Sequence, residues 1–64
     1  MKRVCFDRNG PSGNIFMVLG RAHDVLRAEG KSKEADEMFN RATQQDSYDD
    51  ALNVVREYVE LVEV

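Results

Sequence analysis

The chain has 64 residues, one cysteine, one histidine and a net charge of −3. A chain of that length folds as one domain and buries only about 60% of the surface its unfolded form exposes, so its core has little margin. A single cysteine excludes an internal disulfide, one cysteine with one histidine speaks against a tetrahedral metal site, and no apolar run approaches the ~20 residues of a membrane span.

Charge is divided unevenly. Residues 1–31 carry six Lys/Arg against three acids, and residues 32–64 carry three against nine, or +3 and −6. Such asymmetry can face an anion or guide two subunits together. The N-terminus meets Asp7 and Arg8 before a signal-peptide core can form, so the expected compartment is the cytoplasm.

Taken in chain order, residues 3–7 alternate with period two, placing Val4 and Phe6 on one face of a short strand. The punctuation Arg8-Asn9-Gly10-Pro11-Ser12-Gly13 reads as a loop that opens a helix, with Ser12 or Asn14 as its cap. A first helix is expected over 14–29 and stops at Gly30. Ile15, Val18, Leu19, Ala22, Val25 and Leu26 form its inner stripe, with Met17 and Arg21 opposite. Phe16 and His23 share a shoulder beside Gly20.

Ser32 is the expected cap of a second helix over 33–44, whose apolar set is Ala35, Met38, Phe39 and Ala42. Ser47-Tyr48-Asp49-Asp50 has the form of a capping box and starts a third helix. Tyr48, Ala51, Leu52, Val55, Tyr58 and Val59 make its inner stripe, and residues 60–64 read as a closing strand. The fold class is therefore α+β: a short N-terminal strand, three helices, and a C-terminal strand pairing with the first. Two strands alone are marginal in water, so the small sheet is expected to be completed by oligomerisation, a homodimer first. The expected buried set includes Leu19, Val25, Leu26, Phe39, Leu52 and Val55, with Cys5 as a small buried thiol.

The run Gly10-Pro11-Ser12-Gly13-Asn14-Ile15-Phe16, followed by Leu19-Gly20-Arg21-Ala22, resembles a group of small uncharacterised proteins from phages, prophages and gut-bacterial mobile elements. The likeness extends to Ser47-Tyr48-Asp49-Asp50-Ala51 and Tyr58-Val59-Glu60-Leu61-Val62, and so covers nearly the whole chain. It implies a genetic setting and no particular activity. Small proteins of such elements often bind a host protein, a nucleic acid or a signalling molecule.

Three chemistries compete for the remaining residues. Gly10, Ser12, Gly13 and Asn14 at a helix start, with Arg8 and Arg21 nearby, are a candidate anion cradle for a phosphorylated small molecule. The run lacks the Lys-Ser/Thr of a Walker loop and the spacing of a dinucleotide fingerprint. Phe16, Met17, Gly20 and His23 are the candidate surface for a host protein. For catalysis, His23 has no nucleophile or orienting partner legible from spacing. Asp46, Asp49 and Asp50 do not match an EF-hand loop. With pI 5.0, no tryptophan and no basic run, nucleic acid is not an expected partner. The expectation is a non-enzymatic, cofactor-free binding protein that inhibits or modulates a host protein, in the manner of an anti-defence factor. Sequestering a phosphorylated ligand through the 10–14 loop is the alternative.

Overall fold

The computed structural model describes residues 2–64 and orders them as β1 (Arg3–Phe6), a 3-10 turn (Pro11–Gly13), α1 (Ile15–Ala28), α2 (Ser32–Thr43), α3 (Tyr48–Arg56) and β2 (Glu60–Glu63). The α+β class, the three helices and the pairing of the outermost strands follow the expected plan. The strands run parallel, in the register Arg3↔Glu60, Val4↔Leu61, Cys5↔Val62 and Phe6↔Glu63. Parallel strands need a long crossover, and here all three helices serve as that connection.

Each helix end has a local cause. The Asn14 side chain caps α1 by accepting from the Phe16 N–H at 2.9 Å. At the other end, Gly30 adopts φ +78, the left-handed conformation that suits glycine. Gly30 then donates to the Arg27 carbonyl and Lys31 to the Leu26 carbonyl, the paired bonds of a Schellman stop. The Lys31 carbonyl accepts from the Ala35 N–H, so α2 begins one residue earlier than a Ser32 cap requires. Ser32 is instead the first residue of α2, and Lys31 precedes it without a side-chain bond. Ser47 does cap α3, accepting from the Asp50 N–H at 3.1 Å.

α1 packs on β1 and α3 on β2, while α2 lies against both other helices. Val4 and Phe6 from the sheet meet Val18, Leu19 and Leu26 of α1 and Leu52, Val55 and Val59 from the α3 side. α2 contributes only Ala35, Met38 and Ala42: two alanines that let it approach closely and one long side chain that fills the core between them.

Two expectations about burial are corrected. Phe39 is 37% exposed, because the buried seam of α2 is confined to positions 35, 38 and 42 and position 39 lies on its flank. Cys5 is exposed, since the alternation that turns Val4 and Phe6 inward turns Cys5 outward. Val25 is half-buried against the core, and Val54 is buried although it lies off the expected stripe.

Candidate functional site

The loop before α1 folds onto itself. Asp7 anchors it three ways: its N–H donates to Ser12 Oγ at 2.9 Å, its Oδ1 accepts from the Asn9 N–H at 3.1 Å, and its carbonyl accepts from the Gly10 N–H at 3.0 Å. The Gly13 N–H donates to the Gly10 carbonyl and the Asn14 N–H to the Pro11 carbonyl. The N–H groups of Gly13 and Asn14, the two cradle residues nearest the start of α1, are therefore engaged within the loop. Gly13 itself is buried against the chain, and a Cβ there would stand 2.2 Å from the Asp7 carbonyl oxygen.

The arginines do not converge on this loop. Arg8 Nη1 donates to Asp49 Oδ1 at 2.9 Å and Nε to Glu63 Oε2 at 3.3 Å, while the guanidinium lies 5.2 Å from the centre of the Tyr48 ring. The bond to Asp49, with the charges of Asp49 and Glu63, raises the Arg8 pKa despite partial desolvation. Arg3 Nε donates to Glu60 Oε2 across the sheet at 3.1 Å, and Arg21 is an exposed residue of α1. This geometry gives a phosphate no ready set of donors; it fastens the chain's two ends to the start of α3.

The shoulder residues do come together. α1 and α2 are consecutive helices joined by a tight turn, and a crevice runs between their outer flanks. His23 Nε2–H donates to Asp36 Oδ1 on α2 at 2.9 Å. The His23 ring also meets Phe39 edge to face, with centroids 6.3 Å apart at 81°. Gly20, His23 and Asp24 of α1 and Asp36, Phe39 and Asn40 of α2 line an open hollow of about 460 Å³. Phe16 is one wall of a second hollow, about 280 Å³, which continues toward Thr43, Asp46 and Tyr48.

Phe16 at 66% exposure and Phe39 at 37% stand out of this surface, and Met17, next to Phe16 on α1, is 52% exposed. Between them Gly20 has open space where a Cβ would lie, with no atom within 4 Å. Phe16, Met17, Gly20 and His23 were legible from the helical spacing of α1. Phe39 and Asp36 were not, because Phe39 matched an apolar i, i+4 pattern and Asp36 resembles any solvated helix charge. The one usable sign is that α2 already fills its seam with Ala35, Met38 and Ala42.

No family model, curated protein or solved structure matches the chain significantly. Among the described residues, no group of three or more His, Cys, Asp or Glu side chains is placed to hold a metal ion, and no helix is long and apolar enough to cross a membrane.

Proposed function

We propose that the protein is a non-enzymatic binding module that inhibits or modulates another protein by direct contact through the α1–α2 crevice. The observation that carries this reading is the exposure of Phe16, Met17 and Phe39 around an unfilled Gly20. Exposed aromatic and methionine side chains on a small domain are costly in water and typify contact surfaces. His23 serves the crevice by joining its two walls, and the phage or mobile-element setting implied by the motifs agrees with a role against a host factor. A photo-cross-linking residue placed at Met17 in cells should trap a distinct protein. The same group at Asn53, exposed on α3, should not, and Phe39→Asp should abolish the adduct. Equal labelling from both positions, or none from Met17, refutes the reading.

The same reading includes a homodimer, supported by the sheet edge. Glu60 N–H donates to the Lys2 carbonyl and Val64 N–H to the Phe6 carbonyl, so the even-numbered residues of β1 face β2. The backbone groups of Arg3 and Cys5 then point to the outer edge, which a strand of another chain can pair. A second copy, antiparallel about Val4, matches Arg3 of each chain with Cys5 of the other. Sedimentation should show a dimer that Cys5→Pro converts to a folded monomer; a wild-type monomer at all concentrations refutes it.

A further inference from the structure

The crevice carries its own signature of charge. The ionised carboxylates lining the hollow between α1 and α2 are Asp24 and Asp36, and no lysine or arginine is among its lining residues. Within the hollow an anionic or nucleic-acid partner meets two carboxylates and no lysine or arginine. Both walls of the His23 hollow are helices whose backbone N–H groups are spent internally, so an extended peptide finds no edge to pair with there. His23 and Phe16 are seven residues apart on α1, which is about 10 Å of helix, or two turns of a helix lying alongside.

Gly20 adds a constraint. Glycine in mid-helix weakens the helix, its backbone here is not left-handed, and no neighbouring atom needs the missing Cβ. What glycine provides at this position is room for another backbone to come close. Resting on the protein-contact reading above, we infer that the occupant of the crevice is a cationic amphipathic helix of a partner protein. It crosses α1 at Gly20, with a small residue at the crossing, apolar residues against Phe16 and Phe39, and Lys or Arg toward Asp24 and Asp36. The apolar contacts supply affinity, and the aspartates select for charge and speed the encounter.

The test uses two synthetic amphipathic peptides of about five helical turns. They share one Leu/Ala face, and one carries Lys on its flanks where the other carries Glu. Amide chemical shifts of the intact protein follow each titration. The lysine peptide should perturb Gly20, His23, Phe39 and Asn40 and bind about ten-fold or more tightly than its glutamate twin, with affinity falling as salt rises. Asp24→Asn with Asp36→Asn should erase that preference, and Gly20→Leu should block binding while the protein stays folded.

Equal binding of both peptides, a preference for glutamate, or undiminished binding by Gly20→Leu overturns the inference. So does concentration-dependent movement of these same amides without peptide, which would assign the crevice to a second copy. If neither peptide binds but the Met17 cross-link still depends on Phe39, the helical occupant is wrong and the protein-contact reading stands. If both fail, both readings fall.

Discussion

The hydroxyl of Tyr48, the first residue of α3, donates to the carbonyl of Gly13, the residue that closes the turn before α1. Residues 35 apart in sequence are thereby tied at the point where the turn presses on the Asp7–Arg8 backbone just after β1. Removing the hydroxyl with Tyr48→Phe should cost about 0.5–1.5 kcal/mol, the net worth of one such bond. Gly13→Ala should cost more, about 1–3 kcal/mol, because its Cβ meets the Asp7 carbonyl and the Arg8 backbone, neither of which can swing aside. Urea midpoints measure both, and a wild-type midpoint for Gly13→Ala would show that the loop does not pack this way.

Leu52 and Phe39 make a controlled contrast in the two helices that follow α1. Leu52 is fully buried, so Leu52→Ala should lose about 2–5 kcal/mol through transfer and cavity costs together. Phe39 is on the flank of α2, 37% exposed and edge to face with His23, and Phe39→Ala should lose about 0.5–1.5 kcal/mol, less than Leu52→Ala. Thermal melts of the pair give the comparison. Equal losses would put Phe39 in the core and remove it from the contact surface.

Gly20→Ala should stabilise the isolated protein by about 0.4–1 kcal/mol, since the methyl meets open space and the unfolded chain loses freedom. The expected reading is a melting temperature a few degrees higher. A lower one would mean that the backbone at Gly20 is held in a shape alanine cannot take.

Acid and base should act through opposite faces of one network. Arg41 grips Glu57 with both terminal nitrogens, each 3.0 Å from a carboxylate oxygen, and this holds the Glu57 carboxyl below its usual range. A depressed folded value means stability that is present above the ordinary glutamate pKa, about 4.3, and is lost as pH falls through the folded value. Tyr58 is shifted the other way, raised first by desolvation and then by its bond to Glu37. Its contribution is whole below about 10 and drains as pH rises through the folded value. Glu57→Gln should therefore flatten the acid limb of a stability profile and leave the alkaline limb in place. Profiles that run parallel to the wild type at low pH would contradict this.

The sequence made the scaffold readable where local rules and burial agree. Asn14 and Ser47 cap helices, Gly30 ends one, and the alternation of Val4 and Phe6 marks β1, because each of these depends on near neighbours in the chain. What escaped depended on geometry between elements. Arg8 looked like an anion ligand until the fold brought Asp49 and Glu63, from distant parts of the chain, to its guanidinium. Phe39 satisfied helical periodicity, yet the width of the α2 seam is set by how closely α1 and α3 approach it. The crevice was half legible: α1 showed its wall as a shoulder, and α2 concealed its own within an ordinary amphipathic pattern.

The parallel register of β1 and β2 also determines how the domain bears load. Arg3 lies beside Glu60 and Phe6 beside Glu63, so tension applied through residues 2 and 64 draws the strands in opposite directions along their common axis. The ladder bonds, together with the Arg3–Glu60 and Arg8–Glu63 pairs, are then sheared at once rather than opened one after another. Sideways traction on either strand alone would peel the same bonds singly. The sheet is thus strong along one direction and weak across it, a mechanical anisotropy that four residues per strand suffice to create.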